Sequence, residues 1–226
     1  MLYLSWKLKS LSLNQILSFR KNQESDVVTS GFKKHNIVHM VKRQAATRII
    51  GGKYKGTKLI FKPNKMLRPT EDKTKETLFN WLLNDLNNKK CLDMFAGTGS
   101  LGLEAISRGA TNVVFIEKQL KLSKSIVEVI KKLKIEKLAK VINANSMSFD
   151  YQILKNKFDI IFLDPPFHQS LVSKSLEIIS KYDLLSDDGL IYVECEKDLI
   201  LDLTKYNLSE IKQSKGGETK YYLYES

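Results

Sequence analysis

Cysteine is scarce in this chain. Only Cys91 and Cys195 occur in 226 residues, each inside an apolar, strand-like run. A secreted domain stapled by disulfides needs more, so both are read as buried, reduced thiols of a cytoplasmic protein. Long apolar runs are missing as well: no stretch approaches the ~18 residues that span a bilayer. No metal site is expected. Acidic residues are in deficit, 25 against 37 Lys and Arg, for a formal net charge of +12. That imbalance favours a polyanionic partner without proving one.

The excess charge is unevenly placed. Residues 1–47 carry eight Lys and Arg against Glu24 and Asp26, and residues 48–75 carry nine against Glu71 and Asp72. Residues 1–47 form a basic N-terminal extension that is expected to be disordered. Met1–Gln23 has four serines and no acid, like a weak targeting segment, but Lys7 and Lys9 break any secretory apolar core. A start at Met40, followed by Val41-Lys42-Arg43, is the simpler expectation. The length and 42% hydrophobic content suit one domain over 48–226, with a hairpin extension at 48–66 and a core at 67–226.

From Arg48 the pattern becomes regular. Ile49-Ile50-Gly51-Gly52, Gly56 and Leu59-Ile60-Phe61 read as a β-hairpin, and Pro63-Asn64-Lys65 as a turn. Thr74, Leu78, Trp81, Leu82 and Leu86 fall at helical spacing over 73–86, with Thr70 as a candidate cap. Strands then alternate with helices. The strands are expected at 91–95, 112–116, 141–143, 158–163 and 189–193, with a final antiparallel pair at 208–212 and 220–224. Helices are expected at 100–108, 119–133 and 169–182. This order predicts an α/β fold: a doubly wound, mostly parallel seven-stranded Rossmann-like sheet with an N-terminal hairpin. Ile160-Ile161-Phe162-Leu163 lacks polar alternation and belongs mid-sheet. The lysines of 118–140 read as a solvated face.

Two loops carry the chemistry. Asp93-Met94-Phe95-Ala96-Gly97-Thr98-Gly99-Ser100-Leu101-Gly102 leaves the first core strand and opens a helix. Glycines there permit a tight turn and close approach to a ligand, and the helix start offers free N–H groups. The spacing also fits a dinucleotide fingerprint. Two carboxylates argue otherwise. Asp93 would repel a pyrophosphate but suits an ammonium, and Glu117, ending the next strand, can accept both ribose hydroxyls. A nucleoside with an amino-acid tail and no phosphate is S-adenosylmethionine.

The second loop is Asp164-Pro165-Pro166-Phe167, after the strand 158–163. The prolines stiffen it and leave carbonyls without nearby N–H donors. Asp164 and a proline carbonyl can accept both hydrogens of one –NH2 group. That counters conjugation with an aromatic ring and frees the nitrogen lone pair, while Phe167 stacks on the base. His168 is read as an ordinary loop histidine.

Together these residues resemble the class I amino-methyltransferases. Arg48–Gly52, Leu67-Arg68-Pro69-Thr70, Glu76–Leu82, Leu92-Asp93 with Phe95-Ala96-Gly97, and Leu190–Glu194 narrow the resemblance to the bacterial 16S rRNA guanine-N2 methyltransferases of the small subunit, over about Arg48–Tyr224. The resemblance implies methylation of guanine 966 on an assembled small subunit or late precursor, by a monomer using S-adenosylmethionine. It implies that Asp93, Phe95, Ala96, Gly97, Thr98, Gly99 and Glu117 hold the cofactor, with Asn145 beside the adenine and Arg68 and Thr70 nearby. Asp164, Pro165, Pro166 and Phe167 would hold the guanine. Arg48, Lys53, Lys55, Lys58, Lys73 and Lys75 are candidate RNA contacts. Lys73 and Lys75 depart from the family's frequent Arg and lack its planar fork.

Three other readings compete. A DNA adenine-N6 methyltransferase shares Asp-Pro-Pro-Phe but needs a recognition insertion for which 97–164 leaves little room. A nicotinamide-dependent oxidoreductase gives Asp164–Phe167 no task. A catalytically silent RNA-binding subunit would tolerate loss of Asp164 or Gly97, and both are intact.

Overall fold

The computed structural model describes residues 45–61, 72–82, 86–167 and 170–226. Arg68, Thr70, His168 and the turn at 63–65 lie outside the described residues, as does nearly all of the N-terminal extension.

Two short strands, β1 (Ala45–Arg48) and β2 (Lys58–Phe61), pair antiparallel with Arg48 opposite Lys58. Helix α1 (Asp72–Trp81) follows. Then come β3 (Lys90–Asp93), α2 (Ser100–Ser107), β4 (Asn112–Ile116), α3 (Leu120–Leu133) and β5 (Ala139–Ile142). The chain continues through β6 (Phe158–Leu163), α4 (Leu171–Lys181) and β7 (Leu185–Glu196) to β8 (Ser209–Gly216) and β9 (Thr219–Glu225). The main sheet has seven strands in the order β5-β4-β3-β6-β7-β9-β8. Its first five strands are parallel, and β9 runs antiparallel to β7 and β8.

Alternation along β6 explains why both faces are covered. Ile160 and Phe162 join the core formed with α1, α2, α3 and the hairpin. Ile161 and Leu163 join the core under α4. A strand apolar on both sides is stable only between two layers. Cys91 and Cys195 are free and buried, one in each core.

The hairpin is fastened by the buried carboxylate of Glu104 on α2. It accepts the N–H groups of Ile50 at 2.7 Å and Gly51 at 2.8 Å, and pairs with Arg108 at 2.7 Å. Ser107 Oγ donates to Gly51 O and accepts from Tyr54 N. Gly52, at φ 69°, sits where a Cβ would strike the Ser107 carbonyl. The Ile-Ile-Gly-Gly segment is thus a docking clip.

Several bounds differ from those expected. β7 runs to twelve residues instead of five: its first residue, Leu185, pairs with Phe158 of β6, and β9 pairs with it from Leu190 to Glu196. Its polar start, Ser186-Asp187-Asp188, reads as a turn, and Asp188 does take φ 57°. The terminal hairpin is longer for the same reason, with Gly217 at φ 57° in its two-residue turn. β5 lies two residues earlier at its start than expected, beside β4 at the sheet edge.

Candidate active site

The chain reverses direction across the sheet between β3 and β6. After β3 it proceeds outward through β4 and β5, then returns to β6 on the other side. Open α/β sheets bind ligands at the carboxyl ends of the strands flanking such a switch point. Here a cleft of about 810 Å³ opens there, lined by both loops singled out in the sequence.

The glycine loop turns through Gly97 at φ 54° and Gly99 at φ 77°, a region that side-chain-bearing residues rarely adopt. A Cβ at Gly102 would strike the Phe115 ring, so this third glycine serves helix–strand packing. Glu117, 6% exposed, closes the loop: its Oε2 accepts from Gly97 N at 2.8 Å and its Oε1 from Gln119 N at 2.6 Å. Burial raises its pKa, opposed by the Gln119 and Gly97 N–H groups.

Asp93 is more deeply set, at 2% exposure, with its Oδ2 accepting from Gly102 N at 3.1 Å. Burial pushes its carboxyl up to about 7; the Gly102 N–H opposes the rise, and the charges of Asp164 and Glu117 add to it. Two acidic side chains, Asp93 and Glu117, in a small volume suit a cationic ligand and oppose a pyrophosphate. The acidic lining therefore fits a cationic ligand that carries hydroxyls and an ammonium, as S-adenosylmethionine does.

Among the cofactor candidates, Phe95, Ala96, Gly97 and Thr98 line the cleft, while Gly99 acts from behind by shaping the turn. Asn145 also lines it; its Oδ1 accepts from Met147 N at 3.1 Å in a local turn, which leaves its –NH2 group as the donor. Asp164, Pro165, Pro166 and Phe167 line the same cleft. Both loops thus sit at one end of the sheet.

The basic candidates separate. Lys73, in the first turn of α1, lines the cleft. Lys53, Lys55 and Lys58 are exposed on the hairpin. Lys53 N donates to Ser107 O at the far end of α2, so its backbone lies about 12 Å, the length of an eight-residue helix, from the glycine loop. Arg48 is exposed and pairs with Asp72 at 3.0 Å. Lys75 is a correction: it is wholly buried. Its Nζ donates to Arg48 O at 2.6 Å and Thr47 Oγ1 at 3.1 Å and pairs with Asp72, so it ties α1 to the hairpin and presents no charge to RNA. Its hairpin partners, Arg48 and Thr47, lie 27 and 28 residues away, beyond any local periodicity.

Sequence reasoning missed other lining groups. Thr74 Oγ1 bonds Tyr221 Oη at 3.2 Å, joining α1 to β9 across the cleft. Ser214–Gly217 of the terminal hairpin overhang it, and Glu194 lines it from β7. Only Glu194 had a signal, an acid ending the apolar run 190–193 as Glu117 ends its own.

Comparison with known proteins agrees with this arrangement. The family model described as "Conserved hypothetical protein 95" matches residues 47–225. The ribosomal RNA small subunit methyltransferase D of Haemophilus influenzae is 41% identical over 181 residues, 79% of this chain and 93% of that protein. The Escherichia coli protein of the same name is 39% identical over 178 residues, 79% and 89%. The solved structure of E. coli yhhF superposes with a TM-score of 0.69 at 37% identity, covering 80% of this chain and 98% of that one. A shared fold, a match from hairpin to last strand and this level of identity place the chain in the Conserved hypothetical protein 95 family, that of the bacterial small-subunit rRNA methyltransferase D proteins.

Proposed function

We propose that the protein is an S-adenosylmethionine-dependent rRNA methyltransferase of the small ribosomal subunit that methylates the exocyclic N2 of one guanine, guanine 966, of 16S rRNA in the cytoplasm. The observation that carries this reading is the sharing of one cleft by Asp93 and Glu117, which suit the cofactor, and Asp164–Phe167, which suit an amino base. The relatives' names support the RNA substrate.

S-adenosylmethionine supplies an electrophilic methyl group on a sulfonium and departs as the neutral thioether. The chain's own task is positioning. Asp164 and the Pro165 carbonyl accept the two hydrogens of the base amine and turn its lone pair toward the methyl carbon. Phe167 holds the extruded base by stacking. Bond formation at N2 makes that nitrogen acidic, so its proton passes to Asp164 or to water without a strong base. Lys73 on the cleft rim gives the RNA backbone a cation.

Mass mapping of 16S rRNA nucleotides with and without the gene tests this reading. One N2-methylguanine should vanish in the deletion and return on complementation. An unchanged map would refute it.

A further inference from the structure

One buried acid in the cleft has no part in the steps above. Glu194 stands on β7 at 8% exposure and lines the cleft together with Asp164 and Phe167. The β6/β7 register pairs Phe162 with Tyr192 and Leu163 with Val193. Asp164 and Glu194 are the residues that follow the last pair of this register, and both line the cleft. Alternation along β7 puts the Glu194 side chain on the face of Tyr192. The Tyr192 hydroxyl donates to Glu194 Oε2 at 3.5 Å. Burial, followed by the charges of Glu194 and Asp164, holds that phenol well above its usual range, so it stays a donor.

We propose that Glu194 is a specificity-determining residue: its carboxylate accepts the N1–H of the base whose amine is held by Asp164 and Pro165, and so selects guanine. The inference rests on the base pocket proposed above and adds a reader to it. An Asp-Pro-Pro-Phe loop grips any amine on an aromatic ring and does not by itself distinguish bases. Guanine places a donor, N1–H, directly beside its amine-bearing carbon. Adenine and cytosine place a bare lone pair there. A carboxylate one strand over therefore completes a row of acceptors matched to guanine, whereas it meets the other two bases lone pair to charge. A site built to accept a donor rejects the analogue that lacks it, because the charge then faces a lone pair and repels it.

The test uses the full-length protein and small subunits reconstituted with 16S rRNA that carries either guanine or 2-aminopurine at the mapped position. 2-Aminopurine keeps the amine but replaces N1–H with a lone pair. Wild-type protein should prefer guanine by on the order of 10- to 100-fold in kcat/KM, the worth of one hydrogen bond to a charged group. Glu194→Gln keeps the shape and can donate its amide to N1. It should lose guanine activity by a similar factor, shrink the preference toward unity and keep cofactor affinity by calorimetry. Equal wild-type use of the two bases overturns the inference without any variant, as does an unchanged preference in E194Q. Wild-type protein that transfers no methyl group to the guanine substrate instead refutes the underlying pocket. A merely structural Glu194 would lower both activities together and leave their ratio fixed.

Discussion

Asp93 makes the sharpest prediction, because the fold holds it where an uncompensated charge is costly. Its carboxyl is raised from 3.8 to about 7, first by burial and then by Asp164 and Glu117 against the Gly102 N–H. At ~1.4 kcal/mol per tenfold change, that corresponds to about 4 kcal/mol between the neutral and charged forms. The folded state therefore binds the extra proton. Stability from this group is present at pH 4 and is lost as pH rises through 7. Asp93→Asn retains an acceptor for Gly102 N and cannot ionise. At pH 8 it should be more stable than wild type by about 2–4 kcal/mol, roughly 5–10 °C in Tm for a domain of this size. The gap should narrow to about 1–2 kcal/mol at pH 5 and close only below about pH 4, where the acid is neutral in the unfolded chain as well. The cofactor trend runs the other way. A cationic ligand needs the carboxylate, so wild-type affinity should weaken as pH falls below 7, while D93N binds at least tenfold more weakly with no such dependence. Thermal scans and calorimetry from pH 5 to 8 read both. A variant that is equally destabilised at every pH would refute the reasoning.

Other outcomes follow from the same geometry. Asp164→Ala should keep cofactor affinity within about twofold and lose 10²- to 10³-fold in methyl transfer, measured with labelled cofactor on small subunits; near wild-type rates would remove Asp164 from the base pocket. Lys75→Ala should destabilise by about 2–4 kcal/mol in denaturant titrations, since it strands Thr47 and the Arg48 carbonyl. Lys73→Ala should leave stability unchanged and lower the salt slope of RNA binding by about 1. Glu104→Ala should cost about 3 kcal/mol, because the N–H groups of Ile50 and Gly51 and the Arg108 guanidinium lose one shared partner.

Where local pattern decides, sequence and structure agree. Period-two and period-3.6 apolar spacing locates β3 to β6 and α2 to α4 within a few residues, because each such element must bury one face or both. The elements that extend beyond expectation, β7 to β9, are lengthened by distant partners: Leu185 of β7 pairs with Phe158, and Leu190–Glu196 pair with β9.

The sequence by itself determined the parallel α/β core, the glycine loop after Asp93, the acid Glu117 at the end of the next strand, and the Asp-Pro-Pro-Phe loop, since each element is written in a local pattern of spacing and residue type. Only the tertiary structure decided which charges meet. It brought Glu194 into one cleft with Asp164, thirty residues away in the chain, turned Lys75 inward to the hairpin, and set Gly51 against Glu104. Strand register and helix docking arise from packing between distant segments, and local spacing does not encode them.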